Sequence, residues 1–446
     1  MDFKPPNRPR ARRIILVMFA VIAAFPVAIF LEIWVSSGAI VKRERERVKA
    51  GIVALKSQRV ERPSLFPPET EGNSWDLLKA TLPFWKNSHM DPDRKQFYTD
   101  EKGKPRGAEP DLERILETLR PRIEELREAL RRRHVDPGHD YEAVGQGIPH
   151  VLEAMAVFSV MKGVSAYLRA HDRHREALDA IMVSLGLADH LRVKGQDLTQ
   201  MISHAGDQGA FEELKQLLEG HHLDSSDLGR MARALDILDS SWPTPLAYYR
   251  ADDLLSRNSV VVFLDGGPNA ESIKKNLPAA IPGWRQLYSD RIFASQLFGL
   301  FDQQLAGVEE LTSKPVSEWG PAANEANSSM RLVSETLGLP SGNWHWYLKE
   351  WGKIRTRYLT ARVAVALAWY HAEQGEYPAT LEGLTPKFLP HQTLDPLEGQ
   401  PFGYRAGEDE ATVVSPTLDP EFRDKAIGKG HGQKLDGSPA WRVRRK

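Results

Sequence analysis

The feature that most constrains this chain is an unbroken apolar run from Ile14 to Leu31, which resumes after Glu32 as Ile33, Trp34 and Val35. At about 1.5 Å of rise per residue, a helix over Ile14–Val35 is ~33 Å long, enough to cross a hydrocarbon core of about 30 Å. The expectation is a transmembrane helix over 14–35. Pro26 removes one backbone donor, which a lipid-spanning helix tolerates. Glu32 and Trp34 suit the far interface, where a carboxylate reaches headgroup water and an indole favours the boundary. A cleaved signal peptide with Ser37-Gly38-Ala39 as its cleavage site is the rival reading, but its apolar region would span only about 7–15 residues.

Lys/Arg counts on the two sides balance: Lys4, Arg8, Arg10, Arg12 and Arg13 precede the span, and Lys42, Arg43, Arg45, Arg47 and Lys49 follow it. The first cluster abuts the apolar run, whereas Ser36–Val41 separates the second from it. This places 1–13 as a basic cytoplasmic arm and the bulk of the chain outside the cytoplasm. The remaining composition excludes several classes. The chain has 446 residues and no cysteine, so disulfides, thiolate zinc sites, thiol nucleophiles and iron–sulfur clusters are all ruled out. Lys+Arg 59 against Asp+Glu 60 leaves no cationic surplus to displace counterions from phosphates, so no nucleic-acid partner is expected.

Beyond the span, residues 36–62 alternate charge signs and read as a charged helical stalk with solvated side chains. Pro63, Pro67 and Pro68 end it. A helical body is expected over 63–350. Its clearest helix carries Leu112, Ile115, Leu116, Leu119, Ile123, Leu126 and Leu130 at three- and four-residue steps, with Pro121 as a kink or break point. Asn87–Arg106 reads as a long surface loop. Helical patterns follow over 147–171, 173–193, 198–205, 210–219 and 226–238, the last capped by Asp224/Ser225. Short connections imply antiparallel hairpins. Gly163–Leu191 resembles a single tetratricopeptide-like unit, with Tyr167, Ala177 and Leu178, but no second copy recurs at a fixed spacing. Helices are also expected at 248–255, 284–310 and 322–337, and Val260–Leu264 is a short β-type run.

The C-terminal region, 351–446, opens on a helix ending at Gln374. Then come Gly375, Tyr377-Pro378, Asp395-Pro396, Gly399 and Pro401-Phe402-Gly403-Tyr404. Gly375 suits a left-handed cap, Pro378 a turn that packs Tyr377 on the helix, and Asp395-Pro396 with Gly399 a turn leading into a strand. Phe402–Arg405 and Ala411–Ser415 form a candidate antiparallel hairpin. The order of Gly375, Tyr377, Pro378, Asp395, Pro396, Gly399 and Tyr404 resembles the end of the major pseudopilin of type II secretion, and is similar to the ends of single-span bacterial envelope proteins. The resemblance covers roughly residues 355–416. It implies a small α+β module and location in the bacterial inner membrane. No prepilin-peptidase site precedes Ile14, so pilin-like processing is not implied. The family's calcium loop falls at Asp419, Glu421 and Asp424, where Arg423, Lys425 and Lys429 interleave and oppose a cation.

Chemistry is sparse. His171 and His174, His221-His222, Asp252-Asp253 and Asp91-Pro92-Asp93 each lack a convergent third group and read as capping or solvated polar residues. Gly266-Gly267-Pro268 reads as a turn, because no phosphate-loop or nucleophile-elbow motif is present. No catalytic residue, metal ligand or cofactor is assigned. Trp344, Trp346, Tyr347 and Trp351 cluster before the last helix, either filling a junction or offering an interaction surface.

The expected fold is mainly α: an N-terminal transmembrane helix, an extracytoplasmic helical-hairpin body and a small C-terminal module with an antiparallel hairpin. The expected role is that of a membrane-anchored interaction or scaffold protein of the envelope, linked to secretion or surface assembly, with the bilayer and an envelope protein as partners. The alternative is an anchored ligand-binding or hydrolytic ectodomain that uses Trp344–Trp351 and His345.

Overall fold

The computed structural model describes residues 8–86, 91–100, 103–138, 150–194, 197–220, 223–266, 290–314, 316, 319, 344–396, 399–415 and 441–444, with the backbone alone for 8–30, 197–198, 290, 293 and 344–350. Among the described residues the chain is mainly helical. Its helices are α1 (Arg8–Ser57), α2 (Ser74–Thr81), α3 (Glu109–Leu130), α4 (Val151–Ala170), α5 (His174–Arg192), α6 (Asp197–Glu219), α7 (Ser225–Ser241), α8 (Pro245–Leu264), α9 (Asp290–Thr312) and α10 (Trp344–Gln374). Strands β1 (Thr70–Asn73) and β2 (Arg132–His134) pair in parallel. A separate antiparallel sheet has the order β3 (Gly403–Ala406), β4 (Glu410–Val414), β5 (Trp441–Arg444).

The local signals explain most of these elements. The apolar stripe of α3 is buried at Leu112, Ile115, Leu116, Leu119, Leu126 and Leu130, and Pro121 is accommodated inside one helix. Asp224 caps α7 by accepting the Asp227 N–H at 2.8 Å, and Thr244 caps α8 ahead of Pro245. Helix α4 is long and apolar enough to cross a membrane, yet it is mostly buried. Its residues share one core with α2, α3, α5, α6, α7, α10 and the C-terminal sheet.

Four expectations are corrected. The patterns at 198–205 and 210–219 belong to one helix, α6, because Gly206 and Gly209 between them interrupt the apolar stripe without ending the helix. Val260–Leu264 is the last turn of α8, not a strand; burial of Val260 and Phe263 on one helical face outweighs the β-preference of branched side chains. The expected surface loop 87–106 contains a short 3-10 turn, Arg94–Phe97, which inserts Phe97 into the core. The stretch read as a solvated stalk is packed: Val41, Val48 and Ile52 are buried, and α1 lies along α8 and α9.

That packing is organised by charge. The Arg257 guanidinium, 0% exposed, donates to Glu44 and Asp253, each at 2.8 Å, and lies 3.0 Å from Asp302. Glu44 is likewise 0% exposed, and Arg47 closes the ring on Asp302 at 2.8 Å. One cation from α8 therefore holds carboxylates of α1 and α9 together, and the aromatic ring of Phe301 lies 5.4 Å away. Gly38 permits close approach at the start of this contact, because a Cβ there would overlap the Arg291 guanidinium of α9. Replacing Arg257→Ala leaves Glu44 and Asp253 buried without their cation and should lower the unfolding free energy by about 3–5 kcal/mol, read by chemical denaturation. An unchanged midpoint would show that the network is dispensable.

Candidate functional site

The residues singled out at the C-terminus come together as one structural knot. Gly375 takes a left-handed φ of 78°, and its N–H caps α10 by donating to the His371 carbonyl at 2.8 Å. Tyr377 stacks on the His371 ring with centroids 4.4 Å apart and donates its hydroxyl to the Val443 carbonyl at 2.9 Å. Tyr404 donates to the Pro378 carbonyl at 2.7 Å, so the turn and β3 hold each other. Asp395 is fully buried; its carboxylate accepts the Ser415 hydroxyl, and the Asp395–Gly399 turn, which includes Pro396, is closed by Gly399 N–H to Asp395 carbonyl at 2.8 Å. Trp441 and Val443 are buried in β5, against the edge of β4.

Trp351 is buried with Trp319, Tyr248 and Leu311, its ring 5.7 Å from that of Trp319. This indole fills a junction between helices. Trp344, Trp346 and His345 lie on the first turn of α10, and their side chains fall outside the described residues, as do His221-His222, Gly267-Pro268, the helix expected at 322–337 and the acidic loop at Asp419, Glu421 and Asp424. His171 is hydrogen-bonded through both ring nitrogens, to the Tyr167 carbonyl at 2.8 Å and to Glu109 at 2.6 Å. Asp91 caps a turn by accepting the N–H groups of Asp93 and Arg94. Asp253 belongs to the Arg257 network.

A polar centre that no sequence pattern announced lies where α5, α6, α7, α8 and α10 meet. Arg192, at the end of α5 and 1% exposed, pairs with Asp207 of α6. Its guanidinium lies 4.2 Å from the centre of the Trp242 ring, and Arg355 of α10 lies over the same ring at 5.4 Å. Asp189 accepts the Ser241 hydroxyl at 3.1 Å and stands 3.7 Å from Arg62 and 3.8 Å from Arg192. Arg62, in the segment after α1, donates to the Ser241 carbonyl. Arg355 and Arg362 bind Asp239, and Arg362 also binds Asp236, locking α10 to α7. Tyr358 donates to the Leu235 carbonyl between those pairs.

Next to this centre a cleft of about 170 Å³ opens between the end of α1, the end of α5 and the start of α8. Arg62, Arg192, Lys194 and Tyr248 line it together with apolar side chains. Lys194 holds a left-handed φ of 53°, a sparsely populated conformation for a lysine.

Burial sets the ionisation of the neighbouring groups. It lowers His190 to about 4 and, helped by the charge of Arg192, His204 to about 3, so both imidazoles are neutral at physiological pH. It raises Glu213, on α6, to about 7 against the pull of Arg169 and Lys162. No protein family, no curated protein and no solved structure matches the chain.

Glu213 supplies a pH test. Its folded-state value is raised above the ordinary 4.5, so the stability that it contributes is fully present below about 4.5 and is lost as pH rises through about 7. Glu213→Gln removes that titration. Relative to the native protein, the variant should gain stability between pH 5 and pH 8, on the order of 2–3 kcal/mol, in denaturant titrations at the two pH values. A difference that does not change with pH would refute the assignment.

Proposed function

We propose that the protein is a single-span, membrane-anchored protein of the bacterial envelope whose helical body lies outside the cytoplasm and serves as an interaction or scaffold surface. The observation that carries this reading is the continuity of α1. One helix, Arg8–Ser57, contains the apolar run 14–35 and then enters the body, where Glu44 meets Arg257. A body mounted in this way has its orientation to the membrane set by a packed helix, which suits a protein that presents a surface at a fixed height. The apolar side chains at the end of the run, Leu31, Ile33, Trp34 and Val35, are exposed, as lipid or interfacial contact requires. The resemblance of the C-terminal module to the major pseudopilin points to secretion or surface assembly as the setting, with an envelope protein as partner.

A second reading, an anchored ligand-binding ectodomain, is favoured by the cationic cleft beside α1. It needs no surface role for Trp351, which is buried.

Carbonate extraction and protease accessibility test the anchor. The full chain should remain in the membrane pellet, and a C-terminal tag should be degraded by protease added from the outer side of intact spheroplasts. Release by carbonate would overturn the anchor, and a protected tag would reverse the orientation. Gentle crosslinking of the full chain in its own membrane should then capture a defined envelope protein, and the absence of any adduct would remove the scaffold reading.

A further inference from the structure

The cleft beside the polar centre combines two properties that together identify a class of ligand. Its polar lining is cationic: Arg62, Arg192 and Lys194 border it, and no carboxylate does so among the described residues. The carboxylates that accompany these cations are not among the lining residues. Asp207 takes one edge of Arg192, Asp189 stands between Arg192 and Arg62, and Asp136 lies 3.4 Å from the Lys194 ammonium. Those pairings leave donors over. Among the described residues, Nε and Nη1 of Arg192 and Nε of Arg62 have no hydrogen-bond acceptor, although all three are buried. Buried charged donors without acceptors are costly, and an oxyanion is the group that satisfies several of them at once. The remaining walls, Leu55, Val193, Pro243 and Ala251, are apolar. They match a few carbons attached to the anionic head.

We infer that this cleft binds a small organic anion, a carboxylate or phosphate head on a short apolar body, with the head held by Arg62, Arg192 and Lys194. The three cations come from the segment after α1 and from the end of α5, so the bound anion would stitch the anchoring helix to the body. Lipid headgroups carry the same chemistry, but position argues against them. Leu55 lies 20 residues beyond Val35 along α1, which at about 1.5 Å per residue sets the cleft ~30 Å from the end of the apolar run. This last step rests on the membrane reading above, whereas the binding itself does not.

The test uses the full chain in detergent micelles, titrated calorimetrically with butyl phosphate and with pentanoate, and with 1-pentanol as the uncharged control. Saturable binding of at least one anion and none of the alcohol is expected. Arg62→Gln and Lys194→Gln should each weaken it roughly tenfold or more, measured at a temperature where thermal denaturation shows each variant fully folded, because each removes one charge-assisted donor and leaves the Arg192–Asp207 pair intact. A folded protein that shows no saturable binding of either anion up to about 10 mM, a range that covers the weak affinities of small anions, overturns the inference. So does binding that neither variant alters. Nanodiscs separate the sources: if discs containing phosphatidylglycerol abolish anion binding and phosphatidylcholine discs do not, the occupant is a headgroup and the soluble-anion assignment falls. Loss of the membrane reading would appear separately, as carbonate release with anion binding retained.

Discussion

A single buried guanidinium joins the long N-terminal helix to everything that follows. Arg257 is enclosed by Glu44, Asp253 and Asp302, so two fully buried charges from different helices, Arg257 and Glu44, meet each other directly. Burying charge costs several kcal/mol per ion unless the geometry is good, so such a network specifies one docking of α1 on α8 and α9 more than it adds stability. Apolar contacts of Val41 with Val260, Leu297 and Phe298 then complete the interface. In a chain without cysteine no covalent staple is available, and helix packing of this kind must set the geometry alone.

The same device recurs at the centre of the body. Arg355 and Arg362 of α10 meet Asp236 and Asp239 of α7, while Arg192 meets Asp207 between α5 and α6. Around these pairs the apolar faces of α4, α5, α6 and α10 form one continuous core that reaches the C-terminal sheet. Helix α10 is the common member: its first half touches the polar centre through Arg355 and Tyr358, and its end carries the turn on which Tyr377 and Tyr404 fasten the sheet. The cleft lies at the edge of this frame, where α1 arrives, so its cations are held by elements on two sides.

Much of the helical content was legible from spacing. The stripe of α3, the Asp224 cap of α7 and the left-handed Gly375 are local signals, and local physical chemistry decides them. The hairpin β3–β4 followed from turn chemistry in the same way. The reading failed where a distant partner decides the outcome. Glu44 and Arg257 are 213 residues apart, and nothing in an alternating charge run distinguishes a solvated glutamate from one that will meet a buried arginine. Val260–Leu264 has strand-like composition, and only packing against α1 and α9 makes it helical. The basic tail gave no hint that Trp441 and Val443 would complete a sheet. The cleft was invisible for the same reason, since Arg62, Arg192, Lys194 and Tyr248 share no motif or spacing.

The sequence by itself determined the stripe of α3 and the caps of α7 and α10, that an apolar run of membrane-spanning length lies at 14–35, that no cysteine chemistry is available, and that the C-terminal region turns on Gly375 and Asp395-Pro396. These follow from side-chain periodicity, residue chemistry and backbone freedom, all of which act over a few residues. Only the tertiary structure decided that the helix leaving the apolar run is packed, that Trp441–Arg444 is a strand, and that three cations line one cleft with no carboxylate in the described lining. Those outcomes depend on which charges are buried together, and burial is a property of the assembled fold that no local stretch of sequence carries.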